Sequence, residues 1–305
     1  MPLNSVQTNT GAASALRVLN GAARELATTQ RRLATGRRVE SVRDNGAAWA
    51  VAQTQRGELR ALGAIVTGLR RTESIVDVAI ASGSTIVDLL TRMKEKALTA
   101  AEEGLSADSR AALDREFQAL RDQITRVVEA ADFDGVNLID QAAEGYDVIA
   151  GLGSETRVMP PVIKTFKNGK PPKVIPGGIQ TVRSTLTVTA EFMHLNGPEV
   201  TVSSTAALTD AAASKTILDQ LNASLSNVGQ SMSRLSATAN QIHRQQSFLV
   251  KVQDGLTKGV GDLVDADIGR ETARLRALET HQALGLQSLS IANGAPRVLL
   301  GLFRD

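Results

Sequence analysis

The stretch LGAIVTGLRRTESIVDVAIASGSTIVDLLTRMKEKA, residues 62–97, decides the fold predicted for this chain. Its seam residues recur at alternating intervals of three and four, which places them on one side of a helix. Residues 221–256 repeat this pattern far downstream. Because a seam of this kind over several heptads requires a partner helix, we predict two rods of about 50–55 Å. The seams are Leu62, Ile65, Leu69, Thr72, Val76, Ala79, Gly83, Ile86, Leu90, Met93 and Ala97, and Leu221, Leu225, Val228, Met232, Leu235, Ala239, Ile242, Gln246, Leu249, Gln253 and Leu256.

The composition favours elongated helices over a globular enzyme. Hydrophobic residues make up 42% of the 305 residues, but aromatic residues only 3%, whereas compact cores and pockets usually depend on aromatic side chains. The 34 basic and 32 acidic residues leave a net charge of +2. We therefore expect no nucleic-acid partner. No run approaches the eighteen or so apolar residues of a membrane span, so we also expect no membrane insertion. The lack of cysteine excludes disulfides, thiol nucleophiles and thiolate metal sites.

Proline divides the chain into two helical arms and a non-helical middle, because proline breaks helix interiors. Six of the eight prolines lie between residues 160 and 198. Alternating residues at 186–189 and 200–203 predict strands there, and Asn168-Gly169 and Asn196-Gly197 are turn pairs. The predicted fold is therefore mainly α, with long antiparallel rods or a coiled coil pairing the N- and C-terminal arms, and a small β-hairpin-rich middle insert at 146–206.

Several residues predict where helices begin and end. Gly36 and Gly104 are candidates for left-handed helix stops. Ser106 is a candidate N-cap, with Asp108 in the first turn, where a negative charge stabilises the helix dipole. Glycines 259 and 261 predict a break, after which a last helix spans roughly 267–292.

The terminal segments carry apolar side chains that a lone molecule would leave in water. The first arm has its own short seam, and the chain closes on an apolar tail that would be an aggregation hazard on a monomer. We expect these residues to be buried by self-assembly: Leu16, Leu19, Leu26, Leu33, Leu275, Leu278, Leu289, Leu299, Leu300, Leu302 and Phe303.

Several segments resemble bacterial flagellins. The opening LNSVQTN at 3–9 is similar to the family's N-terminus, and RLATGRRVESVRDNGAA at 32–48 is similar to its segment joining inner and outer helical domains. FDGVNLI at 133–139 resembles the turn after the second outer helix. DLVDAD at 262–267 and LLGLFR at 299–304 resemble the C-terminal pattern. Together these segments occur in the family's order along residues 1–145 and 207–305.

The resemblance implies a domain division and a function. Residues 1–45 and 261–305 would form an inner terminal coiled coil, 46–145 and 207–260 an outer helical bundle, and 146–206 a variable β-rich insert. The chain would be a subunit of the extracellular flagellar filament for swimming motility, exported unfolded and assembled at the distal tip. The implied partners are copies of itself, hook-associated junction and cap proteins, and a cytoplasmic export chaperone.

In many flagellins the first outer helix carries a patch recognised by an animal innate immune receptor, and the matching stretch here is 90–97. Arg92 and Glu95 fit the family pattern, whereas Thr91 replaces glutamine and Lys96 replaces leucine. Because an unpaired charge is costly to desolvate, we expect this chain to escape such a receptor.

The sequence contains no arrangement typical of an active site or a metal site. The three histidines, His194, His243 and His281, lie in different segments without carboxylates at ligand spacing. We therefore expect no enzyme activity, cofactor or metal. Two alternatives to a filament subunit stay open: a hook–filament junction protein, which shares terminal helices, and a soluble coiled-coil signalling or binding module. The apolar C-terminus has no use in that module.

Overall fold

The computed structural model describes residues 8–158, 162–164, 173–175 and 179–301. The helices are α1 (Thr10–Thr35), α2 (Gly46–Ala100), α3 (Ala107–Ala130), α4 (Ala211–Val264) and α5 (Ile268–Gly301). The strands are β1 (Asp132–Phe133), β2 (Val136–Asn137), β3 (Tyr146–Val158), β4 (Val162–Lys164), β5 (Lys173–Ile175) and β6 (Ile179–Val188). They pair antiparallel as β1–β2, β3–β6 and β4–β5. The predicted class, mainly helical with a small hairpin middle, is confirmed.

Contacts cluster the chain into two compact units. One comprises residues 1–57 and 255–305, and the other residues 58–254. Helices α2 and α4 contribute residues to both units. The three-part division predicted from the sequence concerns the assembled protein and stays a prediction.

In the unit 58–254, α2 and α4 run antiparallel, as their seams predict. Near the middle of α2, Glu73 Oε2 accepts a hydrogen bond from Gln246 Nε2 at 2.8 Å. Beyond the C-terminal end of α2, Glu103 Oε1 lies 3.2 Å from Lys215 Nζ, so residue numbers rise on one helix as they fall on the other. Helix α3 packs alongside, and its Phe117 and Ile124 are fully buried.

In the other unit, α1 and α5 pair antiparallel and bring the two ends of the chain together. Arg32 Nη1 lies 3.4 Å from Glu271 Oε1, and Arg274 Nη2 lies 3.1 Å from Glu25 Oε2. At the far end, Asn9 Nδ2 donates to the Ala292 carbonyl at 2.7 Å. The predicted pairing of the N- and C-terminal arms is therefore confirmed.

The local signals at α1 and α3 are confirmed, but the signal at Gly104 is not. Gly36 caps α1 in the left-handed region with φ 66°, and the Ser106 side chain caps α3. Gly104 does not adopt positive φ. Helix α2 ends at Ala100, where Arg110 Nε of α3 donates to the Ala100 carbonyl at 3.1 Å. An arginine from the next helix stabilises this end in place of the expected glycine.

Two predicted boundaries in the second arm are wrong. Helix α4 continues through Gly259 and Gly261 to Val264, because an isolated helical glycine costs only about 1 kcal/mol and packing can offset it. Helix α5 was expected to end near Ala292 but continues past Pro296 to Gly301.

The strand predicted at 200–203 is also wrong. Val200 and Val202 are fully buried, but the segment forms an isolated bridge, from Leu195 to Val200, and no ladder. Thr201 N instead donates to the Ser224 side chain of α4 at 3.0 Å. The alternation marks a loop packed on a helix. Asn196 does adopt φ 62° but joins no strand pair, and Asn168-Gly169 lies outside the described residues.

Candidate assembly interface

The seam predicted for the long rods lies inside the unit 58–254. Ten of its apolar residues are buried: Leu62, Leu69, Val76, Ile86, Leu90, Leu221, Val228, Leu235, Ile242 and Leu249. Ile65 and Leu225 are half-buried. Because these side chains are covered by the chain itself, they stabilise the subunit and are not available to neighbours.

The predicted inner seam is only partly covered by the α1–α5 pair. Leu278 is buried, whereas Leu19, Leu26, Leu33, Leu275 and Leu289 are half-buried and Leu16 is 47% exposed. Leu299 and Leu300 belong to α5, but their side chains lie outside the described part, as do Leu302 and Phe303 entirely. Two paired helices leave each seam open on one side.

Further large apolar side chains on this pair face solvent, and three of them, Val18, Leu284 and Ile291, were not predicted from the sequence. On α1, Val18 is 64% exposed, and on α5 the exposed fractions are 55% for Leu284, 54% for Leu286 and 69% for Ile291. Leu284 and Ile291 are seven residues apart, so they form a second stripe beside the first. A search for two parallel heptad stripes, instead of one, would have found them.

Small residues let the two helices approach closely. A Cβ on Gly285 would lie 3.2 Å from Leu19 Cδ1, and one on Gly11 would lie 3.9 Å from Ala292 Cβ. The turns that follow α1 and α4 are tied together by backbone hydrogen bonds. Arg38 N donates to the Val264 carbonyl at 2.7 Å, and Ala266 N donates to the Gly36 carbonyl at 2.9 Å. The connection from α1 to α2 and the connection from α4 to α5 are therefore held against each other.

The stretch compared with the receptor patch lies on α2 where α3 packs. Thr91, Arg92 and Glu95 are exposed, while Lys96 is half-buried. Lys96 Nζ lies 2.6 Å from Glu116 Oε2 of α3. The lysine at the leucine position therefore forms an ion pair within the subunit.

A charged cluster connects the loop after β6 to α4. Glu191, 3% exposed, accepts hydrogen bonds from Arg234 Nε at 2.8 Å and Nη2 at 2.5 Å. Glu191 raises the pKa of Arg234 by accepting these hydrogen bonds. Glu199 lies 3.8 Å from the same guanidinium, and burial raises the pKa of its carboxyl group. The cluster holds the loop on the helix bundle.

Among the described residues, no group of three or more His, Asp or Glu side chains could hold a metal ion. Helix α2 is apolar enough to cross a membrane by length and composition, with a mean hydropathy of 1.5 over its best window, of which 39% is buried within the protein. Core helices of soluble proteins meet the same criterion, and the α2 seam is buried against its own chain.

These features define a helical structural protein whose paired ends expose apolar side chains to solvent. The family model for the bacterial flagellin N-terminal helical region matches residues 6–144, and that for the C-terminal helical region matches residues 212–303. The chain therefore belongs to the bacterial flagellin family.

Full-length relatives agree. Flagellin FljK of Caulobacter vibrioides is 39% identical over 304 residues, covering 100% of both chains. Flagellin C of Rhizobium meliloti is 30% identical over 329 residues, covering 99% of this chain and 100% of its own. A putative flagellar hook-associated protein from Vibrio parahaemolyticus shares the fold, with a TM-score of 0.52, 14% identity, and 73% and 100% of the two chains covered.

Family membership decides the class of function. The chain is a structural subunit that polymerises into the extracellular flagellar filament, and it is not an enzyme. The curated relatives reported above are flagellins along their whole length, so neither the junction protein nor the signalling module is favoured.

Proposed function

We propose that the α1–α5 pair is the element through which this flagellin joins its neighbours in the filament. In this proposal, residues 1–45 and 261–305 form the inner domain, 46–145 and 207–260 the outer helical domain, and 146–206 a solvent-facing insert. The observation that carries it is the contrast between the two seams. The α2–α4 seam is buried within the subunit, whereas the α1–α5 pair exposes Leu16, Val18, Leu284, Leu286 and Ile291.

The exposed side chains are numerous enough to drive assembly. Full burial of a Val, Leu or Ile side chain contributes about 1.5–3 kcal/mol. Because more than half of each of these five side chains is exposed on average, burying the rest contributes roughly 4–9 kcal/mol per subunit. Contacts with more than one neighbour would add to this value. The half-buried inner seam residues Leu19, Leu26, Leu33, Leu275 and Leu289 lie on the same helix pair.

A paired substitution on α5 tests the proposal. Leu286→Gln with Ile291→Gln removes two exposed apolar contacts, and we expect the critical concentration for seeded polymerisation to rise at least about thirtyfold, equivalent to about 2 kcal/mol. The matched control is Ser233→Gln with Ser236→Gln, which places the same side chains on exposed positions of α4, outside the α1–α5 pair. Equal critical concentrations for the two double variants would contradict the proposal.

The apolar tail supplies a second test. Deletion of residues 297–305 removes Leu299, Leu300, Leu302 and Phe303 while leaving most of α5 in place. We expect this protein to stay monomeric at concentrations where the full chain forms filaments. Undisturbed assembly after the deletion would count strongly against a role for the chain end.

We also propose the finer partners implied by the resemblance: hook-associated junction and cap proteins, and a cytoplasmic chaperone that covers the C-terminal segment before export. The chaperone proposal is supported by the apolar tail, which requires cover in the cytoplasm. Calorimetric titration of the flagellar export chaperone of the same organism against the full chain and the 297–305 deletion tests it. Equal affinities for both proteins would refute this assignment.

A further inference from the structure

Asn9 makes two contacts that connect the start of α1 to the end of α5. Its Oδ1 accepts a hydrogen bond from Ala12 N at 2.8 Å, which makes it the N-cap of α1. Its Nδ2 donates to the Ala292 carbonyl at 2.7 Å across the helix pair. Only one orientation of the amide satisfies both contacts, since one requires an acceptor and the other a donor. Both polar atoms of the Asn9 side chain are therefore hydrogen-bonded.

The Ala292 carbonyl is the one that the sequence of α5 leaves without a donor. In an α-helix the carbonyl of residue 292 accepts from the N–H of residue 296. Residue 296 is proline, which has no N–H. Helix α5 nevertheless continues to Gly301.

We propose that Asn9 is a positioning residue that replaces the hydrogen bond lost at Pro296 and thereby fixes the register of the α1–α5 pair. A donor from α1 meets the carbonyl that proline leaves open. The last turns of α5, which carry Leu299 and Leu300, stay helical because this acceptor is satisfied. A shift by one residue in either helix would separate the amide from the carbonyl.

The close approach at this point supports the same register. A Cβ on Gly11 would lie 3.5 Å from Asn9 Oδ1 and 3.9 Å from Ala292 Cβ, so α1 lies directly against α5 where the amide crosses. Asn9 and Ala292 are both partly shielded from water, which makes an unpaired carbonyl costly there. The inference rests on the proposed role of the α1–α5 pair in assembly.

A double-mutant cycle tests this inference in the full-length filament. Asn9→Ser keeps an N-cap acceptor of similar quality but its side chain is too short to reach Ala292. We expect it to raise the critical concentration roughly five- to tenfold, the net contribution of one hydrogen bond. In the Pro296→Ala background residue 296 regains its N–H, so Asn9→Ser should then raise the critical concentration less than about twofold.

Asn20→Ser is the matched control, because Asn20 is an exposed residue in the middle of α1. A second readout is hydrogen exchange of amides 297–301 in filaments, which we expect to be faster in Asn9→Ser and restored in the double variant. Equal effects of Asn9→Ser in both backgrounds would show that Asn9 does not act through the carbonyl that Pro296 leaves open, and would overturn the inference. If instead the proposed assembly surface is wrong, the Leu286 and Ile291 substitutions will leave polymerisation intact, which is a separate result.

Discussion

Replacing Arg234 with methionine should destabilise the unit 58–254, although the Arg234 side chain is itself half exposed. Arg234 donates to Glu191 at 2.8 and 2.5 Å and to Ser231 Oγ at 2.8 Å. Glu191 is only 3% exposed, so the substitution leaves a buried carboxylate without its counter-charge.

The magnitude follows from the burial of the two partners. Breaking a fully buried pair from one side costs about 3–5 kcal/mol. The Arg234 side chain is 51% exposed, so water can partly replace it, and we expect about 2–3 kcal/mol. For a unit of this size the melting temperature should fall by about 5–10 °C.

The assay is thermal unfolding of monomeric full-length protein, followed by circular dichroism at neutral pH. Arg244→Met is the control, because Arg244 is an exposed arginine on the same helix and its loss should change stability by less than about 0.5 kcal/mol. Adding Glu191→Met should recover part of the loss, since the stranded charge is then removed. A fall in Arg234→Met no larger than that of the control would refute the reasoning.

Three further predictions follow from single sites. Burial raises the pKa of Glu199 above its ordinary value of 4.5, so the ionised carboxyl group destabilises the folded state as the pH rises above that value. Glu199→Gln should therefore raise the denaturant midpoint at pH 7 but not at pH 4, and the same gain at both pH values would contradict the pKa shift. Gly229→Ala should stabilise α4 by about 0.5–1 kcal/mol, because an added Cβ meets nothing within 4 Å. Gly83→Ala should show no such gain in chemical denaturation, because its Cβ would collide with Met232 Sδ, and equal gains for the two variants would disprove this packing. Thr91→Gln with Lys96→Leu should increase the response of innate-receptor reporter cells to purified monomer; a full response to the unsubstituted protein would reject the proposed escape.

The helical pattern could be predicted from the sequence because the heptad seams are long and regular. The seam from Leu62 to Ala97 lies where α2 packs on α4, and the caps at Gly36 and Ser106 are local signals that need no tertiary contact. The helix ends set by tertiary contacts could not be predicted. Arg110 donates to the Ala100 carbonyl at the end of α2, and Asn9 donates to the Ala292 carbonyl, four residues before the proline in α5.

Only part of the candidate assembly interface could be predicted from the sequence, for a related reason. The sequence predicts which residues share a helix face, but not how much of each face a single partner helix covers. Leu278 is buried while Leu16 on the opposing seam is 47% exposed, and only the geometry of the pair distinguishes them. The buried valines at 200 and 202 show the same limit, because alternation reports burial and not the partner that provides it.

The most direct test of the central claim is hydrogen exchange of the α1 and α5 amides in monomer and in filament. Because this pair leaves its seams half covered, we expect fast exchange at 10–35 and 268–301 in the monomer and strong protection after polymerisation. Buried amides of the unit 58–254 should be protected in both states. Full protection of both chain ends in the monomer, unchanged by polymerisation, would contradict the account.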